Sequence, residues 1–424
     1  MFMHSFSNAV GLSPSAADAP HITRLLIADG AGGIGAQVSL LAVPTVAVIV
    51  LAASPQQTSL LTSVQWLPAL LFAGLLGRAV DRGDRRSALV LGAVLEALGA
   101  AAVVSVLLMP DDLRFFALLV GALLVASGGL VYSLAGAAAL PSLLSHTPPP
   151  DAFAAQATVR SMARVSGQAL AAALTQALGA VVAMGVSAVL AIVRALAAMQ
   201  LPQLRIQRAE SSVDGRNSRG RWSLLAASPH LLDLTLANTL MTLGGAIVLS
   251  VFFPFAYQDL QLTPFSVGAM LFVGGVAAVL TGRIGGKTVR RFGPIAIAIG
   301  SGATATLSAW LIALAKWGPS LVTLIVYEVI FSASAVLFAV AFNVVRQRVV
   351  ANDDLATVAS TTSTLTALCM VAGGLIAAVV VPTAGVYDTI VAGCIVSSAA
   401  ALNLLRLLRL PALSKTLDCE RGGP

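Results

Sequence analysis

Residues 115–140 read FFALLVGALLVASGGLVYSLAGAAAL, twenty-six positions without one charged side chain. At 1.5 Å per residue such a run crosses the roughly 30 Å hydrocarbon core of a bilayer as a single helix. Lipid offers a backbone no hydrogen-bond partners, so only helices and closed barrels span it. A barrel strand would show about ten residues of strict alternation, whereas here apolar residues follow one another on every face. Similar runs recur between short polar breaks at 22–51, 60–77, 87–109, 157–178, 181–201, 230–257, 266–285, 294–315, 320–345, 355–381 and 386–408. With residues 115–140 they predict an all-α integral membrane protein of twelve transmembrane helices. The first run is too long for a signal-peptide core and reads as a retained helix.

Composition agrees. The chain of 424 residues is 58% hydrophobic and 10% charged, against about a quarter charged in an ordinary soluble domain. Its net charge of +7 carries meaning through placement rather than sum. Cytoplasmic loops collect Lys and Arg. With both termini cytoplasmic, the inner breaks hold Arg78, Arg82, Arg85 and Arg86, then Arg205 to Arg221, then Arg283, Lys287, Arg290 and Arg291. Only Arg114 and Lys316 fall in outer loops. Aromatics make up 5% of the chain and do not alternate with basic residues, so nucleic acid is not an expected partner. Cys369, Cys394 and Cys419 and the four histidines lack metal-ligand spacing. No metal and no cofactor are expected. No interfacial cluster of His, Asp or Glu points to an enzyme.

The chain also reads as a duplication. Gly77-Arg-Ala-Val-Asp81-Arg82 follows the second run, and Gly286-Lys-Thr-Val-Arg290-Arg291 follows the eighth. In both a helix is expected to end at Gly, three residues intervene, and a charged pair follows. Acidic residues open the fifth and eleventh runs, at Asp151 and at Asp353 and Asp354, where the helix dipole favours negative charge. The expected organisation is a six-helix bundle at 1–204, a cytoplasmic linker at 205–225, a second six-helix bundle at 226–410, pseudo-symmetric with the first, and a disordered tail at 411–424.

Residues Gly77 to Arg86 resemble the signature of the major facilitator superfamily, Gly-x-x-x-Asp-Arg-x-Gly-Arg-Arg, with Gly83-Asp84 where the pattern has x-Gly. Leu67-Pro68 and Asn343-Val-Val-Arg346-Gln347 are similar to bacterial exporters of the enterobactin-exporter and macrolide-efflux type. Drug antiporters of the superfamily often carry Gly-Pro in the fifth helix; here it is Gly167-Gln168. The resemblance implies a monomeric secondary transporter of the bacterial inner membrane, working by alternating access. A small amphipathic compound, such as a drug or siderophore-like molecule, would leave in exchange for protons. A metabolite importer or facilitator, and a non-transporting receptor or assembly factor, are the rivals. The resemblance further implies a cytoplasmic latch in which Asp81 and Arg82, with Gly77 and Arg86, hold one conformation closed. Arg86 reads equally as a topological anchor.

Ionisable groups inside apolar runs are functional candidates because lipid makes them costly. Asp29 and Arg164 lie at similar depth in the first and fifth runs and are expected to pair, structurally or in proton coupling. Glu96 and Glu328 sit near the middle of the third and tenth runs. The fold that the resemblance implies lines its cavity with the first, fourth, seventh and tenth helices, which favours Glu328 over Glu96 as a proton-coupling carboxylate. Gln37, Tyr132, Asn238, Thr242, Tyr327 and Ser332 are the polar candidates for the cavity wall. Arg194, near the end of its run, is expected to snorkel to the interface. Gly30, Gly32, Gly33 and Gly35 read as close helix packing.

Overall fold

A computed structural model describes residues 19–143, 150–203, 229–350 and 354–407. The linker and tail read at 205–225 and from 411 lie outside the described residues. Every regular element described is helical: α1 (Ala19–Thr45), α2 (Pro55–Arg82), α3 (Arg85–Ser105), α4 (Asp111–Leu143), α5 (Pro150–Leu178), α6 (Ala180–Met199), α7 (Pro229–Pro254), α8 (Pro264–Phe292), α9 (Pro294–Ser308), the short α10 (Trp310–Leu314), α11 (Ser320–Val349) and α12 (Leu355–Leu407). Among the described residues nine helical segments are long and apolar enough to cross a membrane. α2 and α5 are not among them. α5 carries Gln156, Arg160, Arg164 and Gln168, so its face is mixed rather than apolar. α12 joins the two runs expected at 355–381 and 386–408, bending where Gly385 adopts φ 86°.

Large apolar side chains stay exposed along these helices, including Leu91, Leu98, Val189, Leu280, Val379 and Leu402. In water so much exposed apolar surface would drive aggregation; in lipid it is the side that faces the acyl chains.

The chain divides into two compact units. The first holds Met1–Ala53, Val64–Ser211 and Thr263–Ala269, and the second holds the remainder. Within the first, α1 packs on α5 and α6, while α3 packs on α4 and α6. Within the second, α7 and α9 both pack on α12, and α9 packs on α11. Small residues permit the closest crossing. A Cβ at Gly99 of α3 would stand 2.6 Å from Val125 N of α4, and one at Gly121 of α4 would stand 2.9 Å from Gly99 O.

One turn occurs twice. α1 runs into a π-helical turn at Val46–Val50, and α7 into one at Phe255–Asp259, 209 residues later. Leu51 N donates to Val46 O and Ala53 N to Ala47 O; Leu260 N donates to Phe255 O and Leu262 N to Ala256 O. Ala52 and Gln261 are the positive-φ residues, at 48° and 54°. Each turn then caps the next helix. Ser54 and Gln57 exchange backbone and side-chain hydrogen bonds in a capping box, and Ser266 N donates to Thr263 Oγ1. The starts of α2, α3 and α4 are followed, at the same step, by those of α8, α9 and α11.

The helices expected to end at Gly77 and Gly286 do not. They continue to Arg82 and Phe292, because the limit on an apolar run is not a limit on the helical backbone that carries it. The exits also differ. Asp84 caps α3 by accepting from Arg86 N and from Ser87 Oγ, whereas α9 starts from Gly293 at φ 82° with Pro294 as its first residue.

Candidate functional site

The first unit gathers its buried charges into one network. Asp29 of α1 is 2% exposed. Its carboxylate accepts from Gln156 Nε2 at 2.8 Å, Arg160 Nε at 3.0 Å and the Tyr132 hydroxyl at 3.2 Å. The expected partner Arg164 is exposed; the ion pair forms with Arg160, one turn earlier. Both arginines lie on the same face of α5, and the axial offset of α1 against α5 selects the first.

Above the Tyr132 ring, 3.5 Å from its centroid, lies the guanidinium carbon of Arg194, close enough for a cation–π contact. Arg194 does not snorkel. It is buried and donates from Nη1 to Glu96 Oε2 at 2.5 Å. Its path crosses α1 at Gly32, where a Cβ would overlap the guanidinium. Gly33 meets Ala163 of α5 and Gly35 meets Ser187 of α6 in the same close manner, as the glycine reading expected. Two carboxylates and two guanidiniums thus balance, with Tyr132 between them. Tyr132, expected on a cavity wall, is instead 2% exposed inside this cluster. Gln37 is half-buried and packs over Gly167 of α5.

The second unit holds a cavity of about 360 Å³ among α7, α8, α9, α10, α11 and α12, and its lining residues all belong to that unit. The wall is mainly apolar, with Met241, Met270, Met370, Phe252 and Phe331 prominent. Among the described residues Glu328 is the single acidic or basic residue in the wall. Ser332 Oγ donates to its Oε1 at 3.0 Å, and no salt bridge reaches it among the described residues. Tyr327 lines the same wall and stacks on Phe331 with centroids 5.5 Å apart. Across from Glu328, α8 offers Gly274, where a Cβ would overlap the carboxylate. Thr242 lines the cavity too, its hydroxyl returned to Asn238 O at 2.7 Å. Asn238 is half-buried and stands outside the lining.

The structure brings Glu328, Tyr327 and Thr242 of the sequence candidates into one wall, with Ser332 bonded to Glu328; the methionines, Gln156 and Arg160 were not among those candidates. A signal for Arg160 was present: two cations one turn apart in an otherwise apolar run demand a partner. The methionines carry no sequence signal beyond apolarity.

Gly77, Asp81 and Arg82 continue α2 as helix, and their side chains fall outside the described residues. Arg86 donates from Nη2 to Met199 O at 2.5 Å, and Arg24 from Nη1 to Gln200 O at 2.9 Å. Both cations satisfy carbonyls at the C-terminal end of α6, where the helix dipole favours positive charge. No cluster of three His, Cys, Asp or Glu that could hold a metal occurs among the described residues.

Long apolar helices and buried, charge-balanced side chains define a multi-pass helical membrane protein. The sequence model of the Major Facilitator Superfamily matches residues 25–404, and the chain belongs to that superfamily of transporters. A search of curated proteins gave no match. Among solved structures, a mutant form of the nucleoside transporter NupG is similar with a TM-score of 0.73 at 13% identity, covering 91% of this chain and 99% of that one. A bacterial homologue of the iron transporter ferroportin in its inward-facing state gives 0.71 at 16% identity, covering 91% and 98%. A bacterial homologue of the human lysosomal transporter Spinster gives 0.66 at 15% identity, covering 97% and 100%. At such identities the likeness is one of fold.

Proposed function

We propose that the chain is a proton-coupled exporter of the bacterial inner membrane. It has twelve spans, in six-helix halves at 1–204 and 226–410 joined by the 205–225 linker, with both termini and the 411–424 tail cytoplasmic. It works as a monomer by alternating access on a small amphipathic substrate. The observation that carries this reading is the state of three carboxylates inside apolar helices. Asp29 and Glu96 each hold an arginine, while Glu328 stands in an apolar cavity with a hydroxyl donor and no cation. A carboxylate already neutralised by a guanidinium gains little from a proton. One facing an apolar space changes its surroundings greatly when it loses one. Glu328 is therefore the coupling residue, and Asp29, Glu96 and Arg160 hold the first unit together.

In the cycle, Glu328 takes a proton from the outside, releases its grip on substrate, and returns the proton to the cytoplasm before the next substrate enters. Asp81, Arg82 and Gly77 serve as the latch that biases one conformation, tilting a two-state equilibrium without freezing it.

The test is purified protein in liposomes with an imposed pH gradient and a panel of amphipathic dyes and drugs. Movement that follows the gradient and reverses with its polarity is expected. If no compound moves under either polarity, broad export is wrong, and a narrow metabolite importer or a non-transporting role replaces it.

A further inference from the structure

We propose that the cavity around Glu328, lined among the described residues by helices of the second unit, is a binding site for an organic monocation with an apolar, aromatic body. This deepens the exporter reading and rests on it for the direction of movement, though not for binding itself. The wall supplies one formal negative charge and no positive one. An anionic guest would meet an ionised Glu328 without compensation, and a neutral guest would either leave that carboxylate unpaired in an apolar space, which is costly, or require it to hold its proton. A monocation pairs with it one to one. The rest of the wall suits such a guest. Tyr327 and Phe331 present stacked rings and Phe252 a third, and ring faces attract cations, more strongly when water is excluded. Met241, Met270 and Met370 give a polarisable surface that adapts to irregular shapes. A dication would find its second charge unmatched. The volume of about 360 Å³ lies in the range of small-molecule pockets, about 300–1,000 Å³, and exceeds what a bare metal ion fills.

The cavity also contains its own control. Gly245 lines it, and a Cβ there would meet nothing within 4 Å. A side chain at that position therefore starts into open space at the cavity wall.

The experiment is equilibrium binding to the purified full-length chain in detergent, with no gradient. The probes are tetraphenylphosphonium and tetraphenylborate, which share size and shape and differ in sign. Saturable binding of the phosphonium at one site per chain is expected, with none of the borate. Glu328→Gln is expected to weaken phosphonium binding about tenfold or more. Glu328→Asp, which keeps the charge, should stay within a few-fold, and Gly245→Phe should abolish binding in a protein that elutes and melts like the parent. Equal binding of both ions, phosphonium binding unchanged in Glu328→Gln or Gly245→Phe, or no saturable phosphonium binding would overturn the proposal. Binding and transport fail separately. Phosphonium binding without gradient-driven movement of any compound upholds the site and sinks the exporter reading, whereas gradient-driven export of neutral compounds with no phosphonium site sinks only the inference.

Discussion

Glu96 and Arg194 are 8% exposed each, and each owes its place to the other. Removing one member of a buried pair leaves a charge without compensation, which costs about 3–5 kcal/mol in soluble proteins. Arg194→Leu should therefore lower the melting temperature of the detergent-purified chain sharply. Glu96→Leu with Arg194→Leu should recover most of that loss; a double variant as unstable as the summed single effects would show that the two do not act as a pair. Gly32→Ala probes the same pair from α1, since its methyl group would occupy the guanidinium's place. It should destabilise the parent and leave the Glu96/Arg194 double variant nearly unaffected in the same melt. A cationic partner for Asp29 on the fifth run was legible, because charges in apolar runs require partners. Which arginine it is was not, nor that Glu96 and Arg194 pair. Periodicity gives the face of a helix but not how far one helix slides along another, so depth alone matches Asp29 to Arg164 where the structure pairs it with Arg160. Arg194 looked like an end residue because the gap that admits it, at Gly32, lies 162 positions earlier in the chain.

Helix lengths were readable in their apolar parts and misjudged at their ends. The hydrocarbon thickness limits the apolar run, but the helix itself stops only where a cap or a turn intervenes, at Arg82 and Phe292 rather than at Gly77 and Gly286. The paired π-turns left no trace in residue type: Val46–Val50 and Phe255–Asp259 share one backbone course with dissimilar side chains. Two other turns were open to inspection as isolated glycines between apolar runs. Gly179 and Gly385 adopt φ 88° and 86°, and a Cβ at either would meet nothing within 4 Å. Gly179→Ala and Gly385→Ala should each cost only the left-handed backbone penalty, about 1–2 kcal/mol, read as similar decreases in melting temperature. A loss confined to one of them would show that the two turns are not equivalent.

Across the molecule, the 209-residue step preserves scaffold and changes chemistry. It carries Asp29 to Asn238 and Glu328 back to Leu119, so each unit's ionisable group answers to a neutral residue in the other. The step shows in the charged breaks through Gly77 and Gly286, although Asp81 answers there to Arg290. The division of labour was not legible, because it depends on which carboxylate finds an arginine. That division is the central claim, and gradient-driven movement in liposomes tests it most directly, comparing the parent, Glu328→Gln, and Asp29→Asn combined with Arg160→Gln. The account predicts that the Asp29/Arg160 double variant still follows the imposed pH gradient, at a reduced rate, while Glu328→Gln does not follow it at all. Gradient-driven movement that survives in Glu328→Gln, and is lost in a folded Asp29/Arg160 double variant, would contradict the account and move coupling into the first unit.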